Sequence, residues 1–231
     1  HRPEGYIVEQ LIFSNIFEEA DEIALQTNLN IKRTFPKKIL REINKILKEH
    51  NSGCYSSEYE DLTNRNFFTI DGKSAKDFDD AICCEKAPDG YKLLVAIADV
   101  SAFVDEGSSL DEVAAQRATS IYLNSKVIPM LPKELSNDIC SLRPQEKRLT
   151  LVCEMILDKD CSLSNFKFYS AIIESKKRFT YDELSNLENE DINRYPDFSS
   201  DLKRLSEICK KRIKKRKQRL AIDFEMNEYR P

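Results

Sequence analysis

The segment FFTIDGKSAKDFDDAI, residues 67–82, places four aspartates, Asp71, Asp77, Asp79 and Asp80, within ten positions directly after an apolar run. Carboxylates packed this closely repel one another, which raises their pKa values and destabilises a fold unless cations neutralise them. A solvated acidic turn is the plain alternative. The cluster lies between two apolar strand candidates, however, which puts the connection on the lip of a sheet rather than out in water. A divalent ion is the natural neutraliser, and an all-oxygen donor set selects Mg²⁺ or Mn²⁺ ahead of zinc. A calcium loop fails on spacing. Counted from Asp77, the places where an EF-hand needs Gly and then an acid hold Ile82 and Pro88. What remains is a catalytic site in which two ions activate a water and stabilise the leaving oxygen of a displacement at phosphorus.

Other chemistries have little to work with. The two histidines are His1, at the terminus, and His50, in what reads as a polar loop, so a His base or a His-bound metal is not expected. There is no P-loop, no Gly-rich dinucleotide loop and no Ser-centred elbow. The 7 cysteines show no zinc-ligand spacing and read as reduced thiols, which predicts a cytoplasmic setting. No export signal is visible, and no apolar segment approaches the roughly 18 residues that span a membrane, so no membrane partner is expected. The net charge of −4 would argue against a nucleic-acid partner, but an average hides local patches.

The elements that must position the aspartates follow from periodicity. With 231 residues and 41% hydrophobic content, the chain can bury a substantial core. Residues 6–13 read as a strand and 17–27 as a short helix. In the helix from Pro36 to Lys48, Ile39, Leu40, Ile43, Ile46 and Leu47 form one stripe. Residues 49–66 read as a loop. Phe67 to Ile70, Ala81 to Glu85 and Tyr91 to Ala98 are strand-length runs, the last two joined by the turn APDG. Ser109 with Glu112, and Thr180 with Glu183, predict capping boxes at two helix starts. Leu149 to Leu157 and Phe166 to Ile173 predict a second hairpin, 200–219 a long helix, and LAIDFEM a final strand. The expected fold class is α+β, a mixed and largely antiparallel sheet flanked by helices.

Several segments taken in order, TIDGKSAKDFDDAI, VAIADVSAFV, ATSIYLNSKVIPMLPKELSNDICSL and TLVCEMIL, closely resemble the catalytic RNB domain of the ribonuclease II and ribonuclease R family. The wording of the aspartate loop and of SKVIPMLP looks nearer to the bacterial ribonuclease R branch. The resemblance implies a Mg²⁺-dependent 3′→5′ exoribonuclease that releases nucleoside 5′-monophosphates from single-stranded RNA. It implies that Asp71, Asp77 and Asp80 hold the ions or their waters, and that Asp79 is the carboxylate the chemical step can least spare. Tyr122, in ATSIY, matches the family tyrosine that stacks on a base near the RNA 3′ end. Without its motif it would read as an ordinary core aromatic.

The same resemblance divides the chain into 1–60, the end of a preceding cold-shock-like module with a helical linker, and 61–231, the N-terminal part of an RNB-type catalytic domain. It implies that the domain continues past Pro231 with an arginine for the reacting phosphate and a second aromatic clamp. The chain is therefore expected to be a fragment, impaired in turnover and prone to associate through uncovered apolar surface. A catalytically inactive RNA-binding fragment is the other reading. Ala118 stands where relatives usually have Gly, a change the loop is expected to tolerate. The cations between Lys210 and Arg219 read as a solvated helix face, with Leu202, Leu205, Ile208 and Cys209 turned to the core. Asp99 reads equally as a partner of the aspartate loop or as a turn-former. Pro129 and Pro132 read as shapers of a rigid loop, and Cys83-Cys84 as strand packing.

Overall fold

The computed structural model describes residues 12–27, 34–51, 53, 56–123, 125–185 and 194–221. Five helices fall among them: α1 (Ile16–Thr27), α2 (Lys37–Asn51), α3 (Ser109–Arg117), α4 (Tyr181–Ser185) and α5 (Ser199–Gln218). The strands are β1 (Glu60–Asp61), β2 (Phe68–Asp71), β3 (Asp80–Ala87), β4 (Gly90–Ala98), β5 (Ile121–Tyr122), β6 (Val127–Ile128), β7 (Lys147–Asp158), β8 (Leu163–Glu174) and β9 (Lys177–Thr180). Seven of these strands form one sheet in the order β1-β8-β7-β4-β3-β2-β9, while β5 and β6 pair separately. The central pairings are antiparallel, and the two edge pairings, β1 with β8 and β2 with β9, are parallel. The fold is α+β, as the sequence predicts. No helix among the described residues is long and apolar enough to cross a membrane.

Adjacent apolar residues show how the sheet is covered. Phe67 packs with Ile39, Ile43, Leu110, Leu135 and Ile139 on one face, where α2 and α3 lie. Phe68 packs with Phe179, Phe198 and Leu202 on the other, under α5. Cys83 and Cys84 divide in the same way, and both are buried. A strand covered on both faces reads as an unbroken apolar run rather than as an alternation. The cover over the α5 face is partial. Ile97 and Leu151 are cross-strand partners on β4 and β7, Phe166 and Phe168 follow on the same face of β8 opposite Met155 and Cys153, and all four of these large apolar residues are exposed.

Several local expectations shift. α3 is capped by Ser108, whose hydroxyl accepts from Asp111 N–H, while the Asp111 carboxylate accepts from Gly107 N–H. The cap therefore sits one residue before Ser109, and Asp111 rather than Glu112 reaches back, to the residue ahead of the cap rather than to the cap itself. Thr180 and Glu183 do form the predicted reciprocal box. α2 starts at Lys37, with the Pro36 carbonyl accepting its first bond, and Leu40 on its stripe is exposed. His50 lies in the last turn of α2 rather than in a loop, edge-on to Phe103, and burial lowers its pKa. Cys209 is exposed, because Leu202, Leu205 and Ile208 already supply the face of α5 that meets the sheet. The loop read over 49–66 contains the two-residue β1, visible only through its partner β8. The strand read over 6–13 lies outside the described residues except for Ile12 and Phe13, which are not in a strand. The one read in LAIDFEM lies outside them except for Leu220 and Ala221, also not in a strand.

Ala118 ends α3 with φ 61 and ψ −32, in the left-handed region that costs an L-residue roughly 1–2 kcal/mol. Glycine escapes that cost and gives back about 0.4–1 kcal/mol through the freer unfolded chain. Ala118→Gly is therefore expected to stabilise the protein by about 1 kcal/mol, a rise of roughly 2–4 °C in Tm by scanning calorimetry.

Candidate active site

The aspartate loop joins β2 to β3 at one margin of the sheet. Asp71 is the last residue of β2 and Asp80 the first of β3, so strand register fixes both ends. Asp71 lies opposite Thr180 of β9, and Asp80 opposite Ile97 of β4. Between them, Phe78 is buried and acts as an anchor. Its N–H donates to Ser141 Oγ at 3.1 Å, and its carbonyl accepts from Leu142 N–H at 2.8 Å. Ser141 is itself buried, donates to the Lys76 carbonyl at 3.0 Å, and accepts through its own carbonyl from Arg148 Nε at 2.9 Å. Arg178 on β9 donates to the carbonyls of Gly72 and Lys73 at 2.6 and 3.0 Å. The Asp79 carbonyl accepts from Ala98 N–H at 2.9 Å. Asp77 and Asp79 thus flank a fixed apolar residue on a backbone tied at both ends.

The carboxylates interact as one cluster. Burial, reinforced by the charges of Asp77, Asp80 and Asp71, holds the Asp79 carboxyl above the usual carboxylate range. Burial also raises Asp71, opposed by the Thr69 hydroxyl beside it and by Arg178, with Asp80 and Asp77 adding to the rise. Tyr122 joins the cluster from β5. It is 68% exposed, and its hydroxyl donates to Asp77 Oδ2 at 3.3 Å. Burial and the Asp77 charge raise its pKa. A cleft of about 600 Å³ runs along this side, lined by Ser74, Lys76, Asp77, Tyr122, Lys133 and Asn137. The structure therefore brings all five sequence-predicted residues into one neighbourhood.

Metal binding can be tested on the donors themselves. Among the described residues, Asp71 Oδ2 and Thr69 Oγ1, on the same face of β2, are buried oxygens without a well-formed hydrogen bond, and the Thr69 hydroxyl lies close enough to Asp71 to oppose the rise in its pKa. Self-repelling oxygens with an under-bonded one among them fit a hard cation in chemistry. Among the described residues, no three His, Cys, Asp or Glu side chains already converge on one point. A Mg²⁺ site does not require that. This ion usually keeps several waters and is held by one or two carboxylates together with substrate phosphate.

The raised carboxyls have a thermodynamic consequence. A carboxyl whose folded pKa exceeds its unfolded value makes the native state bind more protons between the two values. Stability therefore falls as pH rises through that window, and the penalty is fully present at neutral pH. Asp71→Asn is expected to melt above the parent at pH 7, and thermal scans should show the gap closing as pH drops below the Asp71 titration.

Sequence reasoning missed the supports. Arg178 lies in a plain basic run, and Ser141 in SNDICSL carries no chemical signal, so only long-range pairing identifies them. Asp99 resolves as a turn-former: it caps the turn Val100–Ala102 and accepts from Tyr59 Oη at 2.7 Å.

Comparison with known proteins agrees with this geometry. Ribonuclease R of Buchnera aphidicola subsp. Acyrthosiphon pisum is 42% identical over 211 residues, which is 89% of this chain and 29% of the relative. Ribonuclease R of Escherichia coli K12 is 38% identical over 228 residues, 97% of this chain and 28% of the relative. The chain thus spans less than a third of the length of these relatives. Mycoplasma genitalium RNase R, solved in complex with ribose methylated single-stranded RNA, matches with a TM-score of 0.77 at 31% identity, over 95% of this chain and 34% of that one. The RNB domain matches residues 59–231. With the aspartate loop, its anchors and all seven strands of the main sheet inside that span, the chain belongs to the RNB domain family.

Proposed function

We propose that this chain carries the hydrolytic centre of a 3′→5′ exoribonuclease acting on single-stranded RNA and releasing nucleoside 5′-monophosphates. One observation carries the reading: a self-repelling group of four aspartates on a tied loop, with an exposed tyrosine at hydrogen-bond distance from Asp77. Mg²⁺ or Mn²⁺ held by Asp71, Asp77, Asp79 and Asp80 would supply an activated water and neutralise the leaving oxygen. The residues of the chain do the rest. Tyr122 offers an exposed ring face to a terminal base, and such stacking tolerates any sequence. Lys76 and Lys133 line the cleft and favour entry of the phosphate backbone. The match to the solved complex with single-stranded RNA supports RNA as the partner.

The division at residue 60 is retained, supported by a domain match that begins at residue 59. A reducing cytoplasmic setting is supported by the free thiols of Cys83, Cys84, Cys140, Cys153, Cys161 and Cys209. Association through apolar surface is supported by the exposed row Ile97, Leu151, Phe166 and Phe168.

The test is release of nucleoside 5′-monophosphate from a 3′-labelled single-stranded RNA in Mg²⁺, with Asp79→Asn alongside and melting measured with and without the metal. Release by the parent alone, with Mg²⁺ raising its Tm more than that of the variant, is the expected result. Equal release by both proteins would overturn the reading. Silence from both, with RNA affinity kept and no Mg²⁺ effect on melting, would leave an inactive RNA-binding domain.

A further inference from the structure

Asp21 takes no part in the chemistry above and lies on α1, ahead of the RNB match. Its side chain is nevertheless 2% exposed, and burying a carboxylate is costly unless it is well partnered. Its Oδ2 accepts from Ser125 N–H at 2.6 Å and from Ser125 Oγ at 2.5 Å. Ser125 sits in the turn between β5 and β6, three residues beyond Tyr122. A second tie holds the far end of the same hairpin. Arg117 donates to the Pro129 carbonyl at 2.8 Å and to the Thr34 carbonyl at 3.0 Å, with its guanidinium 4.0 Å from the centre of the Phe35 ring. Two strands of two residues each are too short to be rigid alone. An exposed Tyr122 draws little positioning from its own packing, so the hairpin must be set from outside.

We propose that Asp21 is a positioning residue: by gripping the β5–β6 turn from α1, it holds Tyr122 beside Asp77, so the segment upstream of the domain sets the geometry of the stacking aromatic. This rests on the assignment of Tyr122 as an RNA-stacking residue. Movement of the upstream segment would then reach the RNA through Ser125 rather than through the aspartate loop.

The experiment compares the parent with Asp21→Ala, Asp21→Asn, Tyr122→Ala and the double variant Asp21→Ala/Tyr122→Ala. Amide hydrogen exchange across residues 121–128 should speed up about tenfold in Asp21→Ala, the scale of losing a hydrogen bond to a charged acceptor. Asp21→Asn keeps an acceptor oxygen and should recover part of the protection. Affinity for a short oligouridylate should fall roughly three- to tenfold in Asp21→Ala, a fraction of what one lost stacking contact costs. That direction is diagnostic, because removing a negative charge alone would strengthen RNA binding. The double variant should bind no more weakly than Tyr122→Ala. Unchanged exchange in the hairpin overturns the grip whatever the RNA does. Faster exchange with full affinity in Asp21→Ala, while Tyr122→Ala binds weakly, overturns the positioning role alone. Full affinity in Tyr122→Ala overturns the stacking assignment itself, and the inference with it.

Discussion

Asp79→Asn is expected to lower RNA hydrolysis by on the order of 10²–10³-fold or more, the scale of removing one electrostatic contributor to a transition state, while leaving RNA affinity intact or improved. Asp79 is where the charge of the cluster concentrates, since Asp77, Asp80 and Asp71 all act on its carboxyl. Its backbone is held by the bond from Ala98 N–H to its carbonyl and by the buried Phe78 beside it, so an isosteric amide does not move the loop. Losing one negative charge relieves repulsion within the cluster and eases the approach of phosphate. The variant should therefore melt no lower than the parent at pH 7. Product release, affinity at two salt concentrations and a thermal scan separate the outcomes. Lost turnover with kept affinity places the chemistry in this loop, whereas lost affinity and a lowered Tm would mean only that the loop had collapsed. Turnover at the parent rate would remove the cluster from the mechanism.

What the sequence revealed and what it hid divide along chain separation. The β3–β4 hairpin was legible because APDG and the runs beside it are neighbours in the chain, as was the box of Thr180 and Glu183. The aspartate cluster was legible because its four members lie within one loop. The partners that give the loop its shape were not. Ser141 reaches Phe78 across 63 residues, and Arg178 reaches Gly72 across 106. No periodicity or turn signal encodes such pairings. The same holds for the parallel pairings of β1 with β8 and β2 with β9. Apolar runs tell that Phe67, Phe68, Cys83 and Cys84 are buried, but not that two layers share them. Ser108 and Ser109 illustrate a smaller limit: either serine can cap a helix, and the choice falls to the acid that can reach back, which is Asp111.

The largest stability effect is expected from Phe179→Ala, with a loss of about 3–5 kcal/mol, typical of emptying a buried aromatic site. Against a total stability of roughly 5–15 kcal/mol, that is a substantial share. Phe179 is fully buried and stands edge-on to three rings, Phe68 at 5.3 Å, Phe198 at 5.5 Å and Tyr195 at 5.0 Å between centroids. Its strand, β9, has four residues and, among the described residues, lies at the edge of the sheet and pairs only with β2. With so few ladder bonds, β9 depends on this ring to stay docked. The neighbouring Arg178 points its guanidinium at the carbonyls of Gly72 and Lys73, so loosening β9 also loosens the start of the aspartate loop. Phe198→Ala provides the contrast, since it empties a site in the same cluster but from the residue that precedes α5. Both variants should melt lower, on the order of 10 °C for Phe179→Ala. Amide exchange should show Gly72 to Asp77 deprotected in Phe179→Ala only. Equal deprotection in both would make the cluster a shared core with no special hold on the site, whereas the asymmetry would show that an edge strand, through one arginine, carries the stability of the core to the carboxylates.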